Sequence, residues 1–165
     1  MLNRLFIALI LIIGITFLTT HLCNAQTLKT GISIEERVPN SFMGTWRVTS
    51  HLLDSGASPI FKLSGVDLWN LSRSGNVINL NNPFTGASAS ITVNYTDGKT
   101  VKFTKRGKYD NKILTDTVEI KLSGDKFTGI NTLRLDTLSD VNQAVIKTET
   151  AKYSLYGEKI SGMSI

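Results

Sequence analysis

From Thr45 onward, apolar and polar residues alternate with a period of two, the spacing that sets one face of a β-strand into a core and leaves the other in water. In the first such segment Trp46, Val48, Ser50 and Leu52 share one face, while Thr45, Arg47, Thr49 and His51 share the other. The pattern recurs along the chain and predicts eight strands, at about 45–53, 66–73, 76–81, 89–96, 99–106, 116–123, 126–137 and 144–156. Ser74-Gly75, Asp97-Gly98 and Gly124-Asp125 supply the turn residues of tight hairpins. Longer connections are expected at 54–65, at 81–87 with Phe84 as an exposed aromatic, at the polar and basic stretch 107–115, and at 139–142. No stretch after residue 44 carries a sustained helical period.

The last strand is the least regular. Val145, Ala151, Tyr153 and Leu155 share a phase that also contains Lys147 and Glu149, whereas Ile146, Thr148 and Thr150 occupy the other. A bulge near Ala151 that reverses the phase is the preferred account, because one extra residue flips every later side chain. The alternative is an internal Lys147–Glu149 charge pair facing a cavity.

Consecutive antiparallel strands joined by short turns close most simply into a barrel, which removes exposed edges. The predicted fold is therefore all-β, an eight-stranded antiparallel up-and-down barrel, with an antiparallel sandwich as its rival. An outer-membrane barrel would turn an apolar face to lipid. Here the faces opposite the apolar ones carry Thr, Lys, Arg, Asn and Glu, which excludes that class.

The N-terminus changes the picture. Arg4 precedes an apolar run from Leu5 to Leu18, and Cys23-Asn24-Ala25 offers the small residues of a signal-peptidase site, so residues 1–25 are expected to be a signal peptide cleaved after Ala25. A lipidated Cys23 is disfavoured by the bulky Leu22 before it. Residues 26–43 are expected to form a flexible arm, and 44–165 a single barrel domain. Cleavage would remove Arg4 from the 18 Lys+Arg, leave 13 Asp+Glu, and lower the net charge from +5 to +4. The product is expected to be secreted or periplasmic, with no transmembrane segment in the mature chain.

Cleavage also takes away Cys23 and His21, so the mature chain has no cysteine and one histidine, His51. Disulfides, a His-based metal cluster and a His/Cys nucleophilic pair are thereby excluded, and no cofactor is expected.

Gly44-Thr45-Trp46, set just ahead of the first of eight strands, resembles the Gly-x-Trp opening of lipocalins and related calycin barrels. The resemblance implies a barrel closed by Trp46 at one end, open at the other, and holding a small apolar molecule. In lipocalins a basic residue near the end of the last strand packs over this Trp. Lys152 or Lys159 would take that part here.

As candidate ligand-binding residues, the sequence singles out Trp69, Tyr95, Phe103, Asn131 and Tyr153. Trp69 alternates with Val66 and Leu68, so both faces are apolar at that point, and it sits either under the 54–65 loop or at a wet rim. Tyr95, Phe103 and Tyr153 share the expected inward face with Ile78, Leu80, Val93 and Val101, a set that lines a pocket or simply fills the core. Asn131 is the sharpest, since an amide among Phe127, Leu133 and Leu135 must find partners if buried. Asp67, Asp116, Glu119 and Glu149 are available as acids and bases, but no spacing pairs them. His51 is expected to face solvent. The basic residues between Lys99 and Lys112 read as a solvated face, with weak contact to anionic surfaces as the second reading; without aromatic platforms there, nucleic acid is not expected. The expected function is non-catalytic binding of a small hydrophobic or amphipathic molecule; the alternative is a structural or matrix interaction module with a solid barrel.

Overall fold

The structure is a computed structural model that describes residues 33–56 and 58–162. The expected signal peptide and residues 26–32 of the expected arm lie outside the described residues. Eight antiparallel strands follow one another in chain order and close into a barrel. They are β1 (Gly44–Asp54), β2 (Ser64–Ser74), β3 (Val77–Asn81), β4 (Ser88–Thr96), β5 (Thr100–Tyr109), β6 (Lys112–Ser123), β7 (Lys126–Leu138) and β8 (Val145–Ser161). Closure comes from β8, whose length lets it pair with β7 from Lys147 to Glu158 and with β1 from Lys152 to Ser161. The expected fold class is thus the observed one.

Three elements differ from the sequence reading. Residues 107–115 are not a loop: β5 and β6 run on to a tight turn at Asp110-Asn111, where Asp110 has φ of 51°. Asp tolerates this left-handed conformation, so the turn forms without the glycine found at Gly75, Gly98 and Gly124 in the other tight hairpins. The chain before β1 is not merely an arm. Over residues 33–43 it includes a short 3-10 helix, Asn40–Phe42, and it buries Val38 and Phe42 in the core. The polar surroundings of these two side chains concealed them. Finally, β8 has no bulge near Ala151. Its register with β7 is unbroken from Lys147 to Glu158, so Lys147 and Glu149 stand in phase with Ala151, Tyr153 and Leu155, and they form an ion pair at 3.0 Å. No phase switch is needed, but the pair is not internal either: Lys147 is 62% exposed at the rim, and only the Glu149 side chain, 13% exposed, is turned in.

Strand alternation places two tiers inside the barrel. At the closed end, five aromatic rings form a connected cluster: Phe42 meets Phe103 at 6.0 Å, Trp46 meets Phe127 at 5.1 Å, and Trp69 meets both Phe103 and Phe127, at 6.2 and 5.9 Å. Trp46 is fully buried, and its Nε1 donates to the Phe42 carbonyl at 3.0 Å. Lys159 lies over the Trp46 ring at 5.1 Å and donates to the Ser41 carbonyl at 2.8 Å. Of the two lysines considered for this place, it is Lys159 that takes it. Arg73 reaches the same end and donates to the Val38 carbonyl, fixing the segment before β1 across the base. Gly44 carries φ of 117°, and a Cβ there would come within 2.6 Å of the Ser161 carbonyl oxygen, so the first residue of β1 has to be glycine.

On the outer face, Arg47 pairs with Glu158 and Lys102 with Glu119, and His51 is exposed as expected. Among the described residues no helix is long and apolar enough to cross a membrane.

Candidate functional site

Continuing each strand's inward phase away from the aromatic cluster leads to polar residues. On β2, Trp69 is followed toward the open end by Asp67; on β5, Phe103 by Lys105; on β6, Val118 by Asp116; on β7, Phe127 by Asn131; on β8, Leu155 by Tyr153 and Glu149. The open end is thus a ring of polar groups standing on an aromatic floor.

Asp67 connects floor and ring. Its carboxylate accepts from Trp69 Nε1 at 3.3 Å, from the Leu68 amide at 2.9 Å and from Asn82 Nδ2. Asn82 is buried because it also organises the β3–β4 loop: its Oδ1 accepts from the Phe84 and Thr85 amides at 2.9 and 3.2 Å. Across the ring, Lys105 Nζ pairs with Asp116 Oδ2 at 3.0 Å, and the Asp116 side chain is only 9% exposed. Its other oxygen, Oδ1, is buried and without a hydrogen-bond partner, as is Asn131 Oδ1.

The β1–β2 loop folds over the opposite side of the mouth. Tyr153 Oη donates to the Lys62 carbonyl at 3.0 Å, Ser58 Oγ donates to Glu149 at 2.7 Å, and the Leu52 amide donates to the Leu63 carbonyl at 2.8 Å. Burial raises the Tyr153 phenol above its ordinary pKa. The Ser58 hydroxyl, with Lys147 second, holds the Glu149 carboxyl below the usual range.

Two hollows open between these groups. One, of about 380 Å³, is lined by Asp67, Leu80, Asn82, Lys105, Leu114 and Asp116 among others. The second, of about 310 Å³, lies under the β1–β2 loop against Phe61, Asn131, Leu133 and Tyr153, and Asp67 borders it as well.

The five residues singled out from sequence are therefore divided. Asn131 and Tyr153 line the second hollow. Trp69 and Phe103 face inward but belong to the aromatic cluster, 8% and 1% exposed, and line neither hollow. The wet-rim reading of Trp69 is corrected: it is Val66, on the other face of β2, that is exposed. Tyr95 is corrected too. A register shift in β4 between Val93 and Tyr95 turns its ring outward, where it is 50% exposed and its hydroxyl meets Asp97 at 3.4 Å. The residues the sequence reading missed are Asn82, Lys105, Asp67 and Asp116 as a group at one place. The signal was present, since Lys105 continues the phase of Val101 and Phe103, and Asp116 that of Val118 and Ile120.

Fold and site together define a closed eight-stranded antiparallel up-and-down barrel, sealed by aromatic side chains at one end and polar at the other. Comparison with protein families, with curated proteins and with solved structures finds no match to this chain.

Proposed function

We propose that this is an exported, non-catalytic binding protein that holds a small amphipathic molecule in the open end of its barrel. The observation that carries the reading is the pair of hollows, about 380 and 310 Å³, that share Asp67 at the mouth. Binding sites for small molecules have volumes of roughly 300–1,000 Å³ and combine apolar walls with a few convergent polar groups. Leu80, Leu114, Phe61 and Leu133 supply the walls here, and Asp116, Asn131 and Tyr153 the polar groups. The lipocalin likeness of Gly44-Thr45-Trp46, with Lys159 over Trp46, supports the same reading. The apolar run from Leu5 to Leu18 ahead of Cys23-Asn24-Ala25 supports export.

A second reading is favoured by the filled aromatic tier and by the rim. Ile60, Leu63, Phe84 and Val141 are 53%, 80%, 80% and 96% exposed on three of the loops around the mouth. Exposed apolar side chains clustered at one end suit a surface that meets another macromolecule. Native mass spectrometry of the protein purified from its own source, followed by solvent extraction, separates the two. A stoichiometric small molecule supports the carrier and names its cargo. A clean mass of the free chain, unshifted after exposure to a mixed lipid extract, supports the interaction module.

A further inference from the structure

The larger hollow has a sign of charge. Two carboxylates, Asp67 and Asp116, face it against one ammonium, Lys105. Arg106 borders the hollow but stands one residue out of phase with Lys105, exposed on the outer face of β5, where its charge acts on Asp136. Asp67 is held by neutral donors alone, the Trp69 indole, the Leu68 amide and the Asn82 amide. Asp116 is 6% exposed, spends Oδ2 on Lys105, and keeps Oδ1 buried without a donor.

A buried carboxylate oxygen with no donor is costly, and the group that relieves it best is a charged one. A second carboxylate or a phosphate placed there would meet Asp67 and Asp116 and be repelled. A hydroxyl would satisfy the hydrogen bond but leave the excess negative charge. An alkylammonium answers both, with three donors and one positive charge. Leu80, Ala89 and Leu114 line the same hollow and give its tail an apolar wall.

We propose that this hollow is the head-group site for a small amphipathic amine, its ammonium donating to the Asp116 carboxylate within the field of Asp67. The inference rests on the carrier reading and specifies its ligand class. The test is calorimetric titration of the mature chain near neutral pH with octylamine, octanol and octanoate, each below its aggregation concentration. Octylamine is expected to bind about tenfold or more tighter than octanol, with octanoate weakest, as one charge-assisted hydrogen bond implies. Asp116→Asn should weaken octylamine about tenfold and change octanol less than about twofold. Lys105→Met, which frees Asp116 Oδ2 and removes the competing cation, should tighten octylamine binding. This second variant decides the matter if Asp116→Asn fails to fold.

Octanol binding as tightly as octylamine, or octylamine binding unaffected by Asp116→Asn and by Lys105→Met, overturns the amine assignment and leaves the carrier reading standing. Binding of none of the three probes, together with a cargo-free mass for the protein from its source, overturns both.

Discussion

The two ends of the barrel are built from the same strands and solve opposite problems. At the closed end the inward positions are spent on packing: Phe42, Trp46, Trp69, Phe103 and Phe127 interlock, and Trp46 Nε1 and Lys159 Nζ each find a backbone carbonyl. The one buried polar atom left without a partner among the described residues there is Arg73 Nε, on a guanidinium that is otherwise bonded. At the open end the same inward positions hold Asp67, Lys105, Asp116 and Asn131, and two buried oxygens go without partners. Regions where buried polar groups are left unsatisfied contribute little to stability and are kept where binding is done. The contrast teaches that packing is concentrated in one tier of the cylinder; in the carrier reading, recognition falls to the other.

Substitutions should therefore divide by tier. The largest losses belong to the closed end. Trp46→Ala is expected to cost about 3–5 kcal/mol in urea unfolding, the usual cost of emptying a buried aromatic site. Gly129→Ala should be of similar severity although it adds only a methyl, because a Cβ there would lie 2.3 Å from the Glu119 carbonyl oxygen, which belongs to the neighbouring strand and has no room to retreat. If either variant unfolds near the wild-type midpoint, the aromatic tier is not where the stability resides.

Lys159 comes next. Removing its contact with Trp46 and its bond to the Ser41 carbonyl by Lys159→Ala should cost about 1–2 kcal/mol. Burial pushes the Lys159 ammonium's pKa down, against the pull of Asp125, so its charge is partly a burden in the folded state. Lys159→Met keeps the stem over the ring without that charge and should cost less than the alanine. Equal losses in the two variants would make the charge, not the stem, the important part.

The open end should behave in the reverse sense. Asn131→Leu replaces an amide whose buried Oδ1 has no donor by an apolar side chain of similar size, and is expected to raise stability by about 1 kcal/mol. In the carrier reading it also weakens ligand binding. A loss of stability instead would mean that the amide is well served where it stands.

The smallest effect expected is that of acid. Hydrogen bonds from Thr148, Ser58 and Arg47 hold the carboxyls of Asp136, Glu149 and Glu158 below the ordinary range. A carboxyl whose pKa is lower folded than unfolded contributes stability that is complete above its unfolded value and is lost as pH falls through its folded value. The unfolding midpoint should be level near neutrality and decline below about pH 4. Ser58→Ala should shrink that decline, and since Ser58 meets Glu149 at the mouth, its effect should not extend to the aromatic tier.

Most of the cylinder was legible from Thr45 onward because period-two alternation is a local property, readable wherever a strand has one wet face and one dry face. It failed in particular places for particular reasons. Tyr95 was assigned inward because the β4 register shift leaves no mark in composition, and everything beyond it changes sides. Asp110-Asn111 escaped notice as a turn because it carries no glycine. Val38 and Phe42 were hidden in a polar stretch before any strand begins. The mouth was only half legible. Asn131 and Tyr153 stood out as polar-capable residues among apolar neighbours, but the convergence of Asp67, Asn82, Lys105 and Asp116 depends on three strands and the β3–β4 loop meeting in space, and no spacing within one strand reports it.

The aromatic tier has a consequence for traffic. A cylinder stoppered by five rings has a single doorway, so any molecule that reaches Asp67 must leave by the way it came. Arrival and escape are then governed by the same few hinges, the β1–β2 loop latched by Tyr153 and Ser58 and the β3–β4 loop latched by Asn82. Loosening the Ser58 latch, which lines neither hollow, would speed both directions together and leave the equilibrium between them nearly untouched.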